Sequence, residues 1–260
     1  MNDSVVSFEH ESMRVVVHPD VDSLARDAAR EAAAALVGAI SERGSAHAMF
    51  ASGNSQLAFL DMLVTIDVDW SRVVGFHMDE YCGIAGDHPA SFRRYMRERI
   101  IDRTGIGAFQ EIQGDAPDAD AECARYASLL QAHPLDLCCL GIGENGHLAF
   151  NDPPVADFDD PVDVKVVELD EACRKQQVGE GHFSSLDAVP RDAITVTIPA
   201  LLRSGTVLAI VPEARKRDPV RRALEGPVST ACPASILRTR SNVTLYLDVD
   251  SAGELASASR

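Results

Sequence analysis

The chain has 260 residues, of which 46% are hydrophobic and 25% are charged, and its formal net charge is −16. This length and apolar content can bury a full hydrophobic core, and no apolar run is long enough to span a bilayer. The acidic balance argues against nucleic acid or an anionic membrane as a partner. Residues 1–4 do not begin a signal peptide, so a cytoplasmic protein is expected.

Strands and helices are predicted to alternate along the whole chain. In chain order they are strand 14–17, helix 21–43 ended by Gly44, strand 46–50, helix 56–64, strand 73–77, an amphipathic helix around 91–101, helix 119–132, strands 135–140, 164–167, 193–197 and 206–211, helix 218–224 and strand 243–247. This order predicts an α/β fold in which residues 1–260 form a single domain. Its mostly parallel, doubly wound (Rossmann-like) sheet is covered by helices on both faces.

The sequence also predicts a mobile segment and the state of the cysteines. Residues 151–163, rich in Asp and Pro, and residues 179–185 are predicted to form a mobile lid beside a site. The six cysteines have neither disulfide-framework nor metal-site spacing and are expected to be reduced thiols. They are Cys82, Cys123, Cys138, Cys139, Cys173 and Cys232.

The densest group of chemically useful residues follows the strand predicted at 135–140. The run LGIGENGHLAFNDPP, residues 140–154, places His147 between Glu144 and Asp152. Glycines let the backbone turn sharply, and an imidazole flanked by carboxylates can transfer protons near neutral pH. A glycine-rich turn alone explains neither the histidine nor the Asn-Asp-Pro sequence. His147 is therefore predicted to be an acid–base group.

A second group of acids follows strand 73–77, where Met78 leads into Asp79 and Glu80. Ligands of open parallel sheets bind outside the carboxyl ends of the strands, so these acids and His147 are predicted to share one crevice. Capping of the next helix is an alternative role for both acids, and for Glu80 it is as well supported as catalysis.

The junction after strand 46–50 carries an anion-binding signal. Ser52, Gly53, Asn54 and Ser55 bring hydroxyls and free backbone N–H groups to a helix N-terminus. The chain has neither a P-loop lysine here nor a Gly-x-Gly-x-x-Gly at its first helix. A helix cap is the simpler interpretation of this loop alone. Beside two acid-bearing strand ends, however, it predicts a phosphate pocket, which must be locally basic in so acidic a chain.

Together these segments resemble the glucosamine-6-phosphate deaminases, a family related to 6-phosphogluconolactonase. The resemblance extends from about residue 12 to 250, in the family's order. After Gly146 and His147 the chain continues Leu-Ala-Phe-Asn-Asp, as in a deaminase, whereas lactonases typically continue Thr-Ala-Ser-Leu-Phe. The shared anchors are residues 52–55, residues 76–81 with His88 and Pro89, residues 141–153, residues 193–197, Lys216, Glu225 and Gly226.

The resemblance implies conversion of glucosamine 6-phosphate to fructose 6-phosphate and ammonia, without a metal or organic cofactor. By this likeness His147 opens the pyranose ring, Asp79 moves a proton between C2 and C1, and Asp152 supports His147. The implied partner is a small-molecule sugar phosphate, and a homo-oligomer is possible. The implied phosphate ligands are Ser52, Gly53, Asn54, Ser55 and Lys216, and Glu80 and Gly146 are further candidates for substrate contact.

Three departures from the family pattern affect this assignment. Asn145 stands where better-studied members carry an acid that orients the histidine, so either Glu144 or Asp152 takes over or the chemistry is slower or different. Gln56 replaces the usual proline. The segment from Arg174 to residue 182 aligns poorly where the family has a phosphate-binding arginine. Arg174 is a candidate for that role, and an exposed helix arginine is the alternative. Galactosamine 6-phosphate is therefore an alternative substrate.

Two other functions compete with deamination. In 6-phosphogluconolactone hydrolysis His147 would act as a base toward water. A non-catalytic sugar-phosphate sensor would resemble the effector domains of some transcription regulators, but few residues precede the first strand to build a DNA-binding segment. The presence of both Asp79 and His147 also favours an enzyme.

Overall fold

The computed structural model of the protein describes residues 5–179, 181 and 183–255. None of the helices in this part of the chain is long and apolar enough to cross a membrane. The strands are β1 Val6–His10, β2 Met13–His18, β3 Ala46–Phe50, β4 Val73–His77, β5 Asp79–Tyr81, β6 Ala108–Gln110, β7 Leu137–Leu140, β8 Val164–Glu168, β9 Asp192–Val196, β10 Thr206–Val211 and β11 Val243–Asp248. The helices are α1 Val21–Arg43, α2 Leu57–Leu63, α3 Phe92–Met96, which continues through the π-helical turn Arg97–Ile101 into α4 Asp102–Thr104, α5 Ala119–Ala132, α6 Glu171–Gly179, α7 Ile198–Leu202, α8 Arg217–Glu225 and α9 Val249–Ala252.

The main sheet has eight strands in the order β1-β2-β11-β10-β7-β3-β4-β6. Only the edge strand β1 is antiparallel to its neighbour, so the predicted α/β fold with a mostly parallel sheet is confirmed. The strands predicted at 164–167 and 193–197 were wrongly placed in this sheet. They are β8 and β9, which pair antiparallel with each other, and β9 pairs with β5 to complete a second, three-stranded sheet.

Helix α1 shows why local signals fixed many boundaries. The Asp20 side chain accepts a hydrogen bond from the Ser23 N–H, and Gly44 ends the helix with φ 81°. The predicted bounds 21–43 are therefore confirmed. Strand β1 was missed because it is a short edge strand that is only half-buried on one face.

Helices cover both faces of the main sheet. Helices α1 and α2 pack over one face, together with Met96 of α3. Residues of α5, α7, α8 and the second sheet pack over the other face. The adjacent Cys138 and Cys139 of β7 point to opposite faces, and all six cysteines are free thiols, as predicted.

The strand order places a topological switch point between β3 and β7. From β3 the chain moves outward to β4 and β6, whereas from β7 it moves the other way to β10 and β11. The two strands are adjacent, and the Ala51 N–H after β3 donates to the Cys139 carbonyl of β7. Crevices of this kind, at the carboxyl ends of the strands, are where open α/β sheets bind ligands.

Candidate active site

A polar cleft lies at this switch point. Four neighbouring strands, β10, β7, β3 and β4, lead into its walls through the residues that follow their carboxyl ends. The lining residues are Ala51, Ser52, Gly53, Asn54, Ser55, Met78, Asp79, Phe92, Gly141, Ile142, Gly143, His147, Ala149, Phe150, Gln176, Gln177 and Lys216.

The loop at residues 141–152, here called the His147 loop, folds tightly after β7. The Gly143 N–H donates to the His147 carbonyl, and the imidazole packs so closely on Gly143 that an added Cβ would lie 2.1 Å from Nε2. Gly146 has φ 93°, and a Cβ there would lie 2.7 Å from Sγ of Cys232. Gly146 therefore shapes the turn and does not line the cleft. The Asn151 side chain ties the loop to the second sheet by donating to the Val196 carbonyl.

Asp152 is the acid that holds the histidine. Its Oδ1 lies 2.8 Å from His147 Nδ1, and its side chain is 1% exposed. Burial acts to raise the pKa of Asp152, but the hydrogen bond and charge interaction with His147, with hydrogen bonds from Asn145 and Cys173, outweigh it and lower that pKa. This geometry is the one expected if Asp152 supports His147. Because Nδ1 faces Asp152, Nε2 is the ring nitrogen left to act in the cleft.

Asn145 does not contact the imidazole. Its Oδ1 accepts a hydrogen bond from the His147 backbone N–H at 3.0 Å, and its Nδ2 donates to Asp152 Oδ1 at 2.8 Å. Glu144 is exposed, and its backbone N–H donates to Gln176. Of the two acids considered as replacements for the usual one, the geometry supports Asp152 and not Glu144.

Asp79 enters the cleft from the first residue of β5, immediately after β4 and Met78. Its side chain is 7% exposed. Burial, and then the neighbouring charge of Glu80, raise the pKa of Asp79 well above its ordinary value. A carboxylate that binds a proton this readily is suited to removing one from carbon.

Glu80 points away from the cleft and caps the next helix. It is fully buried, and its two oxygens accept hydrogen bonds from Tyr81, Ser91, Phe92 and Arg93. Burial raises the pKa of Glu80 even though these donors oppose the shift. The geometry therefore supports the capping role that was left open and gives no support to substrate contact.

The segment predicted to bind phosphate, residues 52–55 and here called the phosphate loop, lies between β3 and α2. Gly53 has φ 112°, and its carbonyl accepts a hydrogen bond from the Tyr95 hydroxyl. Gln56, in place of the family's proline, is buried and donates to the Ile210 carbonyl and to Ser55. These contacts fix the loop from both ends of the short Asn54–Gln56 3₁₀ helix.

Lys216 reaches the same cleft from the loop after β10. It is 3% exposed, and among the lining residues that the structure describes it is the only lysine or arginine. The backbone at Glu213 has φ 83°, a strained value for a residue with a side chain. The Glu213 N–H is held by both carboxylate oxygens of Asp248. This strained turn directs the chain so that Lys216 lies beside the phosphate loop.

Helix α6 supplies two residues that the sequence did not indicate. Gln176 and Gln177 line the cleft, and the Tyr81 hydroxyl donates to Gln177 Oε1 at 2.6 Å. The Arg174 guanidinium instead donates to the Leu186 and Val189 carbonyls. This placement does not support Arg174 as a phosphate ligand. The sequence alone carries no signal for the two glutamines, because the packing of α6 brings them to the cleft.

The predicted lid is only partly described. Asn151 and Asp152 are fully buried parts of the site and not a mobile surface. Residues 180 and 182 lie outside the described residues. Mobility of the remaining segment stays a prediction.

Three potential metal-ligand atoms, one each from His147, Asp152 and Cys173, lie within 4.8 Å of one another. The His147 and Asp152 atoms are already paired with each other. The closeness of the three atoms is explained by the interactions of His147 and Cys173 with the Asp152 carboxylate.

The comparison with known proteins now identifies the family. A family model described as glucosamine-6-phosphate isomerases/6-phosphogluconolactonase matches residues 19–246. The chain belongs to this family. A protein from Exiguobacterium sp. named glucosamine-6-phosphate deaminase is 34% identical over 210 residues, 80% of each chain. Another so named, from Listeria innocua, is 34% identical over 205 residues, 79% of this chain and 86% of the relative.

Solved structures agree with this assignment. A monomeric glucosamine-6-phosphate deaminase of the NagB superfamily superposes with a TM-score of 0.81 and 31% identity, over 92% of this chain and 98% of that chain. A 6-phosphogluconolactonase from Shewanella baltica superposes with a TM-score of 0.76 over 93% of this chain and 99% of that chain, at 20% identity. The second likeness shows the shared fold alone.

Proposed function

We propose that this protein converts glucosamine 6-phosphate and water into fructose 6-phosphate and ammonia. The main observation in support is that two candidate acid–base groups, Asp79 and His147, share one cleft with the phosphate loop and Lys216. The relatives named glucosamine-6-phosphate deaminase at 34% identity support the same reaction.

The phosphate end of the substrate binds to the phosphate loop. Backbone N–H groups and hydroxyls of Ser52 and Ser55 donate to the phosphate oxygens, and Lys216 supplies the positive charge. This anchoring holds the sugar carbons at a fixed distance from Asp79 and His147, so part of the entropic barrier is removed by binding.

Ring opening is assigned to His147. The imidazole, held through Nδ1 by Asp152, exchanges a proton at Nε2 with the ring oxygen and the anomeric hydroxyl, which yields the open-chain aldehyde. The ionised Asp152 fixes the tautomer and stabilises the imidazolium that forms during the exchange.

Proton transfer between carbons is assigned to Asp79. Its carboxylate removes the proton at C2, which is acidified by the adjacent aldehyde, and returns it to C1. The aldehyde oxygen takes up a proton and becomes the C1 hydroxyl, while the amine at C2 loses a proton and becomes an imine. Water then adds to C2, and ammonia leaves to give the ketone. The raised pKa of Asp79 favours the carbon-to-oxygen transfer.

The decisive test is an ammonia-release assay on a panel of glucosamine 6-phosphate, galactosamine 6-phosphate, glucosamine without phosphate, and 6-phosphogluconolactone. Ammonia and fructose 6-phosphate should appear in equal amounts from the first compound, with little turnover of unphosphorylated glucosamine. Turnover of galactosamine 6-phosphate, and not of glucosamine 6-phosphate, would make the galactosamine epimer the substrate. Hydrolysis of the lactone alone would replace the proposal with a lactonase, and binding of sugar phosphates without turnover would replace it with a sensor.

Three further expectations belong to this proposal. The chain acts as one domain, in which apolar residues of both sheets share a single cluster. It acts in the cytoplasm, where sugar phosphates are metabolised. A homo-oligomer stays a prediction.

A further inference from the structure

Four residues form a ring of polar contacts behind His147, three of them hydrogen bonds. Asn145 Nδ2 lies 2.8 Å from Asp152 Oδ1 and 3.4 Å from Asp170 Oδ2. Asp170 Oδ1 accepts a hydrogen bond from the Cys173 backbone N–H at 2.6 Å. The Cys173 thiol completes the ring because its sulfur lies within 4.8 Å of an Asp152 oxygen, and Cys173 is 1% exposed. Asp170 itself does not line the cleft.

We propose that Asp170 is a positioning residue that acts through Asn145 and Cys173 on the Asp152–His147 pair. Its effect on catalysis rests on the proposed function, whereas its effect on Asp152 does not. Asp170 makes no hydrogen bond to the imidazole and does not line the cleft, so it can influence the reaction only indirectly, through the ring and through the N-terminus of α6 that it caps.

Asn145 is the residue type that this ring requires. An amide offers two N–H donors and one carbonyl acceptor. Its nitrogen faces the carboxylates of Asp152 and Asp170, and its oxygen accepts the His147 backbone N–H. An aspartate at this position would place three carboxylates side by side and remove the donor that helps to keep Asp152 ionised.

The same ring joins the His147 loop to helix α6. Asp170 precedes α6, and its side chain accepts from the N–H of the third residue of that helix, as an N-cap does. The helix carries Gln176 and Gln177 into the cleft. One carboxylate thus sets the position of a cleft wall with one oxygen and the position of Asn145 with the other.

The test is a double-mutant cycle on the full chain. Asn145→Asp should lower kcat about tenfold, because it creates the three-carboxylate cluster. Adding Asp170→Asn removes one charge and lets the new amide donate to the aspartate at 145, so the double variant should recover kcat at least about threefold. Asp170→Ser keeps a capping oxygen but loses the contact with Asn145, and it should lower kcat more than it changes KM. Glu171→Gln, which removes an exposed charge one residue away, is the matched control and should match the wild type.

A second readout does not depend on turnover. The carboxyl pKa of Asp152, followed by carbon NMR in the ligand-free protein, should rise in Asn145→Asp and return toward the wild-type value in the double variant. The positioning role would be overturned if the losses of kcat in Asn145→Asp and Asp170→Asn simply multiplied in the double variant and the titration of Asp152 did not change. If the wild type released no ammonia, the proposed function would fail. The titration of Asp152 would still test whether Asp170 acts on it through the ring.

Discussion

Replacing Asp79 by asparagine should lower turnover and raise stability in the same protein. The side chain is 7% exposed, and burial together with the Glu80 charge raises its pKa well above the ordinary value. Asparagine has the same shape but cannot ionise or accept the proton from C2. We therefore expect activity and stability to change in opposite directions.

The sign of the stability change follows from the raised pKa. For an acid whose pKa is raised by folding, the contribution is fully favourable below the ordinary value of 3.8 and is lost as pH rises through the folded-state value. An asparagine side chain does not titrate, so the Asp79→Asn variant would not undergo this loss. The variant should therefore have a higher Tm than the wild type at pH 8, and the difference should shrink toward pH 4.

The size of the activity loss can be set from the assigned role. Removing a general base costs on the order of 10²-fold in rate or more. A hundredfold loss corresponds to about 2.7 kcal/mol of transition-state stabilisation. For a chain of this size, each kcal/mol of added stability should raise Tm by about 2–4 °C.

The assay combines steady-state ammonia release, the Kd for fructose 6-phosphate, and thermal melts at pH 4 and pH 8. Asp67→Asn is the control, because Asp67 is exposed and precedes β4 at the sheet edge opposite the cleft. Near-normal turnover in a folded Asp79→Asn protein would remove Asp79 from the mechanism. An unchanged Tm at pH 8 would show that the fold does not disfavour the ionised carboxyl.

Three shorter predictions test the rest of the site. Lys216→Ala should weaken binding of fructose 6-phosphate and of free phosphate together, by about tenfold or more in calorimetric Kd, while unphosphorylated glucosamine is unaffected; equal affinities would make Lys216 a structural lysine. Asp152→Asn should reduce ammonia release strongly and Glu144→Gln only slightly, and the reverse order would exclude Asp152 as the histidine's partner. Glu80→Gln replaces one of two oxygens that accept four hydrogen bonds, so the free energy of unfolding in urea should fall by about 2–4 kcal/mol, and no change would contradict the capping role.

The parts of the fold that depend on neighbouring residues were predictable. Helix α1 has its cap at Asp20 and its left-handed end at Gly44, and strands β3 and β4 are apolar runs between turn signals. The candidate residues after three strands were correctly placed in one cleft for the same reason. Residues that directly follow a buried parallel strand must lie at the carboxyl ends of the strands, where such sheets bind ligands.

The parts that depend on distant pairing were not predictable. Strand β5 has only three residues, and it pairs with β9, more than 100 positions later. Because successive residues of a strand face opposite sides, β5 directs Asp79 and Glu80 to opposite sides of the second sheet. The same limit applies to α6, where helical spacing directs Gln176 and Gln177 into the cleft and Arg174 toward the Leu186 carbonyl.

The pKa values of Asp79 and Asp152, the two proposed catalytic aspartates, also depend on long-range contacts. The pKa of Asp152 is lowered, because hydrogen bonds from His147, Asn145 and Cys173 overcome its burial. The pKa of Asp79 is raised, because burial and the Glu80 charge act in the same direction. A carboxylate that stays ionised suits a fixed partner for imidazolium, whereas one that readily takes a proton suits transfer from carbon. Both residues are aspartates in the sequence, so only their surroundings can divide these roles between them.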